Sequence, residues 1–454
     1  MKEGSLFVIV IFLLFYGIIG CQLPDTGSGR VGPIAQESRH FPATLWPDRI
    51  MHSASADPAT EVRISWRTND EISSGFIEFI ENTGGVDFVE KATTKPAVLV
   101  PVYFDGFKDH YFQVVLKGLM PSKTYLLRVG DEEFRSEWFV VKTTSKNFEL
   151  FTFLYFGDVQ NEIREFGSRV FQQAEYQFPD AAFMVHAGDL VLSSGDDDTW
   201  GEWFFSGGRL FQRVPSIAVA GNSDHNRWKS EPVDSRLLFP QWHGVFNQPD
   251  NGLDELRNLS YYVDYPELRV VSFYSNFVSI RDNRDIYVSE EIKLDSAIFF
   301  DQVNWLEEVL ADNDKQWLVL VLHHPVFSGR ENRTNAFIQE SLLPLLEKYD
   351  IDLVLQGHDH VYARGTNPSA SDKSQLPVFM INMSGGKMAK GNPDQNWIYS
   401  FLENKQLFSA VEVNAEFLRV RTFDTTGKLW DDFRIEYNEL GKHLLESDKN
   451  YLVR

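Results

Sequence analysis

Hydrophobic and polar residues alternate along the chain between about residues 46 and 144. In the stretch EVRISWR, Val62, Ile64 and Trp66 share one side, and the residues between them are polar or charged. A period of two residues is typical of a β-strand with one buried face. Similar stretches follow at SGFIEFI, YFQVVLK, TYLLRVG and EWFVVKT. Several short strands within about 100 residues predict an all-β sandwich, to which we assign residues 45–146.

Beyond residue 146 the pattern changes to continuous apolar runs separated by segments of helical spacing. LFTFLYFGD and AAFMVHAGD are typical of buried strands, and REFGSRVFQQAEYQF between them is typical of a helix. The pattern returns in VPSIAVAGN, WLVLVLHHP, IQESLLPLLEKY and IDLVLQGHD. Strand, helix and strand in succession predict βαβ units, and therefore an α/β domain over residues 147–437. The charged residues 438–454 are predicted to form a peripheral tail.

Length and charge narrow the class of protein. With 454 residues, the chain exceeds the about 250 to 300 residues that one core usually supports, so two domains are expected. A hydrophobic fraction of 43% argues against disorder. The formal net charge is −22, which argues against nucleic acid binding through a basic surface.

The N-terminus predicts export. Residues 5–19 are apolar and follow Lys2, and a run of this length is shorter than the about 20 residues that a spanning helix needs. We therefore predict a signal peptide at residues 1–20. The sequence IIGC resembles a bacterial lipobox, which implies export, lipidation of Cys21, the only cysteine, and anchoring to a bacterial membrane on its periplasmic or cell-surface side. Residues 22–44 would be the tether. The alternative is a simple signal peptide followed by an unrelated cysteine.

Polar side chains follow five of the predicted strands. In open α/β sheets, ligands bind beyond the carboxyl ends of the strands, so we expect these side chains to meet in one crevice. Carboxylate, imidazole and amide ligands suit divalent or trivalent first-row metals, and the lack of thiolates argues against a cysteine-based zinc site. The residues concerned are Asp158, Asp189, Asn222, His323, His358 and His360.

Two metal ions are compatible with this set of residues. In GHDH, His358 and His360 lie two positions apart, so each can bind a different ion. Two ions about 3.5 to 4 Å apart need a bridging carboxylate, and they can clamp the attacking and leaving oxygens of a displacement at phosphorus.

Five motifs, FGDVQ, GDLV, GNSD, LHHP and GHDHVYAR, resemble those of calcineurin-like metallophosphoesterases. The preceding segment, with PDRIMHSASADPATEVRISWRT and VVLKGLMPSKTYLLRVG, resembles the fibronectin type III-like domain of purple acid phosphatases, and Leu119, Pro121 and Tyr125 resemble its tyrosine corner. Together the resemblance covers about residues 45–435. It implies an N-terminal β-sandwich followed by a second β-sandwich core that is flanked by helices.

The resemblance also implies roles for individual residues. Asp158, Asp189 and His360 would hold the first metal, with Asp189 as the bridge, and Asn222, His323 and His358 would hold the second. The ions would be iron, manganese or zinc, and a hydroxide that they activate would attack a phosphate ester. His324 and Arg364 would face the phosphate.

The sequence departs from this pattern at three positions. Gln160 stands where the family often has a histidine, and its amide would either coordinate the first metal weakly or donate a hydrogen bond nearby. Leu192 replaces the tyrosine of purple acid phosphatases, so no purple colour and no obligatory ferric ion are expected. Ser223 replaces the histidine of the third motif, which removes a candidate proton donor. His225, two positions on, is a candidate replacement.

The predicted function is therefore hydrolysis of phosphate monoesters outside the cytoplasm. Because the ligands do not fix the class of ester, a phosphodiesterase or nucleotidase remains an alternative. Ser223 and Gln160 also allow a third possibility, a surface binding protein with weakened catalysis. Uncompensated clustered carboxylates would destabilise such a protein unless metal binds.

Overall fold

A computed structural model describes residues 39–446 except 105, 193–194, 226–237, 239, 278–289, 332, 370–375 and 440. These described residues form one compact unit. The predicted signal peptide, Cys21 and most of the predicted tether lie outside them. Within the described ranges, no helix is both long enough and apolar enough to cross a bilayer.

The N-terminal part is a β-sandwich, as predicted. Its elements are β1 (Asp48–Ser53), β2 (Glu61–Asn69), β3 (Phe76–Glu81), α1 (Phe88–Lys91), β4 (Thr93–Pro96), β5 (Val98–Phe104), β6 (Phe107–Lys117), β7 (Thr124–Gly130) and β8 (Phe139–Lys142). One sheet contains β4, β3, β7 and β8 in that order, and β1, β2, β6 and β5 form the other layer. The predicted tyrosine corner is confirmed, because the Met120 backbone N–H donates to the Tyr125 hydroxyl at 2.8 Å.

Strand β2 is buried on both faces, in contrast to the prediction of one polar, solvent-facing side. Arg63 donates to the Gln248 carbonyl at 2.8 Å, and the Ser65 hydroxyl donates to the Val245 carbonyl. The polar face of β2 thus packs against a later segment of the chain and satisfies its hydrogen bonds there. Strand β1 extends this contact, because it pairs in parallel with a strand that precedes Asn222.

The second part contains the remaining helices and strands. They are β9 (Phe151–Phe156), α2 (Ile163–Gln177), β10 (Met184–His186), α3 (Asp197–Gly207), α4 (Leu210–Arg213), β11 (Ser216–Ala218), α5 (Pro240–Val245), β12 (Tyr261–Tyr265), β13 (Leu268–Ser272), α6 (Glu290–Ala311), β14 (Trp317–Val321), α7 (Ala336–Lys348), β15 (Leu353–Gln356), β16 (Tyr362–Thr366), β17 (Val378–Ile381), β18 (Ile398–Leu402), β19 (Leu407–Val413), β20 (Phe417–Asp424), β21 (Leu429–Asn438) and β22 (Gly441–Glu446). Single 3₁₀ turns occur at Asn222–Asp224 and Asp254–Leu256.

Two large sheets form the core of this part. Strands β9, β10 and β11 are parallel, with α2 connecting the first two, and β13, β14 and β15 are parallel in the other sheet, with α6 and α7 as connections. The predicted βαβ units are therefore confirmed. Tyr155 and Val185 from one sheet pack in the same buried cluster as Val319 and Leu355 from the other. This is the predicted sandwich of sheets with helices on its outer faces.

Part of the predicted C-terminal tail is a regular strand. Residues 441–446 form β22, which pairs with β21 at the edge of the sheet. The Lys442 ammonium lies 2.9 Å from the buried carboxylate of Asp352. This ion pair ties the edge strand to the end of the α7–β15 connection.

Candidate metal centre

The sequence-predicted ligands lie beyond the carboxyl ends of strands from both sheets. Asp158, Asp189 and Asn222 follow β9, β10 and β11 in one sheet, whereas the histidines follow β14 and β15 in the other. The crevice therefore lies where the carboxyl ends of strands from two facing sheets come together, rather than at the end of a single open sheet. The structure brings together all six residues, which are Asp158, Asp189, Asn222, His323, His358 and His360.

The first group of ligand atoms comes from Asp158, Asp189 and His360, which lie within 4.8 Å of one another. His360 Nε2 lies 3.8 Å from Asp158 Oδ1. Its other ring nitrogen, Nδ1, donates to the Lys387 carbonyl at 2.9 Å. Because a carbonyl can only accept, the proton is on Nδ1, and the Nε2 lone pair faces the carboxylates.

The second group surrounds His323. Its Nδ1 donates to the Ala187 carbonyl at 2.9 Å, so the Nε2 lone pair faces the crevice. That Nε2 lies 3.2 Å from His358 Nδ1, 3.2 Å from Asn222 Oδ1 and 3.4 Å from Asp189 Oδ1. Around an ion with bonds of about 2.1 Å, neighbouring ligand atoms are about 3.0 to 3.4 Å apart. The distances between these four atoms therefore fit ligands that bind one shared metal ion.

Asp189 belongs to both groups. Its Oδ1 accepts the Ser223 backbone N–H at 2.7 Å and faces His323, while its Oδ2 accepts the Ser223 hydroxyl at 3.0 Å and the Gln160 amide at 2.6 Å. This central position is the one that a bridging carboxylate requires.

The backbone around these ligands is strained. Asp158, Asp189, His358 and His360 have φ values of 47°, 51°, 74° and 56°, in the left-handed region that non-glycine residues rarely adopt. Each such residue costs about 1 to 3 kcal/mol and persists only where its surroundings hold it. Strain at four neighbouring candidate ligands indicates a site whose geometry is kept for a function.

The glycines of the motifs are required by close contacts. A Cβ atom on Gly188, which itself has a φ of 86°, would lie 2.4 Å from His323 Nδ1. On Gly357, a Cβ atom would lie 2.5 Å from Asp158 Oδ2. Any side chain at either position would displace a candidate ligand, which explains why glycine precedes the ligand in GDLV and GHDH.

The electrostatics of the crevice favour a cation. Burial, followed by the Asp189 charge, raises the pKa of Asp158 well above its usual value. Burial lowers the pKa of His360 to about 4 and that of His358 well below its usual range, so both rings stay neutral. Asp158 Oδ1 is buried and has no hydrogen-bond partner among the described residues. A bound metal ion would satisfy this oxygen and compensate the two carboxylates.

Gln160 lies against both groups, with Nε2 2.6 Å from Asp189 Oδ2 and 3.4 Å from His360 Nε2. Its Oε1 is buried and has no hydrogen-bond partner in the part of the chain that the structure describes. The amide therefore donates a hydrogen bond to the central carboxylate, and a 180° rotation of the amide would instead direct Oε1 at the ligands. Both of the predicted alternatives for Gln160 are compatible with this position.

His324 also faces the crevice. Its ligand atom lies within 4.8 Å of those of His323 and His358, and its Nδ1 lies 3.1 Å from the Ser275 hydroxyl. The structure thus places His324 beside the second group, where the resemblance placed a phosphate contact. Leu192 is 42% exposed, and Ser223 is buried against Asp189.

Two of the predicted catalytic residues lie elsewhere, and those predictions need correction. Arg364 on β16 is buried between the sheets, where its Nε lies 2.7 Å from Asp431 Oδ2 and its guanidinium stacks over Phe433. It does not face a phosphate. His225 is also buried, with Nδ1 2.7 Å from the Gly221 carbonyl and Nε2 2.7 Å from the Tyr274 hydroxyl. With both ring nitrogens engaged, His225 holds the loop and does not replace the missing proton donor.

Asp224 is a site residue whose importance the sequence reasoning missed. Its carboxylate accepts the Gly221 backbone N–H at 2.8 Å and the Leu190 backbone N–H at 3.2 Å. It therefore fixes the loop of Asn222 against the loop of Asp189. The signal was present in GNSD, where a buried carboxylate follows the ligand at a spacing that closes a tight turn.

Comparison with known families agrees with this geometry. Residues 151–362 match the calcineurin-like phosphoesterase family, and residues 47–143 match the purple acid phosphatase N-terminal domain. The chain carries a calcineurin-like phosphoesterase domain behind a purple acid phosphatase N-terminal domain. The two matches follow one another along the chain in the order that the sequence predicted.

Individual relatives of this chain are distant. An uncharacterized protein of Mycobacterium tuberculosis is 25% identical over 334 residues, which are 67% of this chain and 60% of that protein. Tartrate-resistant acid phosphatase type 5 of Rattus norvegicus is 27% identical over 263 residues, which are 56% of this chain and 78% of the relative. The first of these relatives is thus matched over less than two thirds of its length.

Solved structures show the same fold. The purple acid phosphatase PPD1 from yellow lupin seeds superposes with a TM-score of 0.65 at 17% identity, covering 86% of this chain and 74% of that one. The structure of PhoD superposes with a TM-score of 0.62 at 13% identity, covering 90% of this chain and 93% of that one.

Proposed function

We propose that this protein hydrolyses phosphate monoesters with two bound metal ions. The observation that carries the proposal is the position of Asp189, which links two groups of candidate ligands. Two ions held by a shared carboxylate are the arrangement that supports displacement at phosphorus.

The residues divide between two ions. Asp158, Asp189 and His360 would hold the first, and Asn222, His323 and His358 would hold the second, with Asp189 shared. When bound, such ions stabilise the charge on phosphoryl oxygens and make water a nucleophile near neutral pH. The carboxylates and neutral imidazoles suit iron, manganese or zinc.

The remaining side chains position the ester and the ligands. His324, held by the Ser275 hydroxyl, presents its ring beside His358 and would contact a phosphate oxygen. Ser223 donates its hydroxyl to Asp189 and therefore orients the shared carboxylate. A serine hydroxyl cannot protonate a leaving group near neutral pH. We therefore propose that the enzyme acts best on esters whose leaving groups are weak bases.

A binding protein with weakened catalysis is the second candidate. It is favoured by Ser223, which occupies the position of the usual proton donor, and by the engagement of both ring nitrogens of His225. It is disfavoured by the strain at Asp158, Asp189, His358 and His360, because such strain serves no purpose in an idle site.

Hydrolysis assays separate the candidates. An activated aryl phosphate monoester and the matching diester would be tested with protein reconstituted separately with manganese, iron and zinc. Metal-dependent turnover that is lost in Asn222→Ala supports the enzyme, and the preferred ester sets its class, including the phosphodiesterase or nucleotidase alternative. Two bound ions per chain without turnover would support the binding protein.

We also propose that the protein is exported and anchored through a lipid on Cys21. This proposal rests on the apolar residues 5–19 and the following IIGC, which lie outside the described residues. Cell fractionation of wild type and Cys21→Ala tests it. The variant is expected to leave the membrane fraction, and its retention there would contradict the anchor.

A further inference from the structure

Hydrogen bonds connect the loop that follows His323 and His324 to the loop that carries His358 and His360. They are accepted by Asp359, which lies between His358 and His360 and is fully buried. Its Oδ2 accepts the Ser328 hydroxyl at 2.7 Å and the Gly329 backbone N–H at 2.8 Å. Its Oδ1 lies 2.5 Å from Arg333 Nη1. Asp359 thus holds a guanidinium against the loop that carries His358 and His360.

Arg333 has unused hydrogen-bonding capacity. Asp359 is the only hydrogen-bond or ion-pair partner that the described part of the structure gives its side chain, and this bond uses one of five N–H groups. The side chain is 20% exposed, and none of its nitrogens is buried without a partner. The remaining N–H groups therefore reach solvent.

The guanidinium also lies close to the candidate ligands along the chain. Its partner Asp359 stands directly between His358 and His360 in the sequence, so the ion pair holds Arg333 next to the segment that carries both histidines. A fixed cation near a neutral ligand adds nothing to metal binding, because it repels the ion. Its position is useful if an anion binds there.

A cation at this position would attract an anionic substrate. The chain carries a net charge of −22, which repels a phosphate ester at long range. Arg364, the predicted phosphate contact, pairs with Asp431 and is buried between the sheets. A half-buried guanidinium held by one carboxylate can still form two parallel N–H···O bonds to a phosphate.

We propose that Arg333 binds the phosphate group of the substrate, with Asp359 holding its guanidinium in place. This inference rests on the proposed function, because it places a phosphate at the candidate metal ligands. It assigns Arg333 to substrate binding and Asp359 to positioning.

The test compares the full-length wild type with Arg333→Gln, Arg333→Lys and a control, Arg257→Gln. Arg257 is a largely exposed arginine that pairs with Asp254, three residues before it. Each protein is loaded with manganese, its metal content is measured by mass spectrometry, and its affinity for inorganic phosphate is measured by titration calorimetry. Hydrolysis of p-nitrophenyl phosphate gives kcat and KM.

Arg333→Gln is expected to weaken phosphate binding and raise KM about ten-fold, a typical loss for one charged contact, with a smaller change in kcat and unchanged metal content. Arg333→Lys should recover part of the affinity, and Arg257→Gln should match wild type. Unchanged phosphate affinity in Arg333→Gln overturns the proposal. So does a loss of metal in that variant, since Arg333 would then act only by holding the ligand loops. Wild type that binds phosphate but hydrolyses nothing would refute the proposed function and leave this inference standing.

Discussion

His323 Nε2 lies 3.2 Å from His358 Nδ1, although the two residues are 35 positions apart in the sequence. The Ala187 carbonyl fixes the proton of His323 on its other nitrogen, so a lone pair of His323 points towards His358. Asn222 Oδ1 lies at the same distance of 3.2 Å from that Nε2 atom. Two nitrogens and an oxygen converge from three separate loops, and Asp189 joins this second group to the first group of Asp158 and His360.

Replacing Asp189 with asparagine should disrupt both of the proposed ion sites. The amide has no charge, and one of its two positions is a nitrogen that cannot bind a metal, so the shared ligand is lost. We expect at least one ion per chain to be lost and hydrolysis to fall by at least about a hundred-fold. Metal analysis and kinetics would be compared with Asp180→Asn, since the Asp180 side chain is 84% exposed. Wild-type metal content and activity in Asp189→Asn would rule out the bridging role.

Replacing Ser223 with histidine should restore a proton donor. General acid catalysis is worth about a hundred to ten thousand-fold, and it matters most when the leaving group is a strong base. We expect Ser223→His to raise kcat for alkyl phosphates more than for aryl phosphates. Ser223→Ala serves as the control, because it loses the hydrogen bond to Asp189 without adding an acid. An equal response of both ester types to Ser223→His would mean that the missing acid does not limit the rate.

The clustering of the candidate ligands could be predicted because each follows a buried strand, and strand ends are visible as an apolar run that stops at a polar residue. Asp158 after LFTFLYFG is such a case. Arg364 could not be placed, because its direction depends on which strand of the other sheet lies opposite. Its partner Asp431 is 67 positions away. His225 is similar, since the Tyr274 hydroxyl that engages its ring lies 49 positions away.

The fold was predictable to the level of two domains and their βαβ units, but the contact between them was not. The alternation in EVRISWR gives a strand and an apolar face, and it contains no information about what covers the polar face. In the structure, the Gln248 carbonyl accepts from Arg63 on that face. Long-range packing of this kind decides burial without changing the local pattern.

Introducing tyrosine at Leu192 should add a visible absorption band to the iron-loaded protein. Leu192 lies three residues after Asp189 and is 42% exposed, so a phenol can be accommodated. The wild type has no phenolate at this position, and we expect its iron form to lack a purple band. Absorption spectra of iron-loaded wild type, Leu192→Tyr and Leu192→Phe test this. A purple band in the wild type would show that another residue supplies the phenolate.

Removing the charge of Asp197 should destabilise the protein. This carboxylate, at the start of α3, contacts Arg39, Arg49 and Arg67 from the N-terminal part. Burial alone would raise its pKa, but the guanidinium groups outweigh burial and lower the pKa to about 2. The stabilisation is therefore present above the unfolded pKa of about 3.8 and is lost as the pH falls towards about 2.

Asp197→Asn leaves Arg49 without a carboxylate partner among the described residues, whereas Arg39 and Arg67 keep Asp109. Breaking a buried ion pair in this way typically costs about 3 to 5 kcal/mol. Chemical denaturation at neutral pH measures this loss. Asp48→Asn is the matched control, since Asp48 pairs with Arg67 but its side chain is 38% exposed. An equal loss of unfolding free energy in the two variants would show that the burial of Asp197 does not make its ion pairs more stabilising than that of Asp48.

Acid should destabilise the fold through His186. This histidine is fully buried among Phe156, Phe171 and Trp203, and burial lowers its pKa to about 3. In the unfolded chain His186 binds a proton below a pH of about 6.5, whereas in the folded chain it binds one only below a pH of about 3. The stability is therefore complete above pH 6.5 and falls as the pH is lowered, by about 3 kcal/mol at pH 4 from this residue alone.

His186→Phe keeps an aromatic ring and removes the titrating group. We expect it to lose some stability at pH 7.5, because a phenyl ring fits this site imperfectly and cannot bond the Ser216 hydroxyl 3.4 Å from Nε2. The difference in unfolding free energy between pH 7.5 and pH 4.5 should nevertheless shrink relative to wild type. Urea denaturation at the two pH values measures both quantities. An unchanged pH difference would mean that His186 titrates normally in the folded protein or that the acid sensitivity arises at other groups.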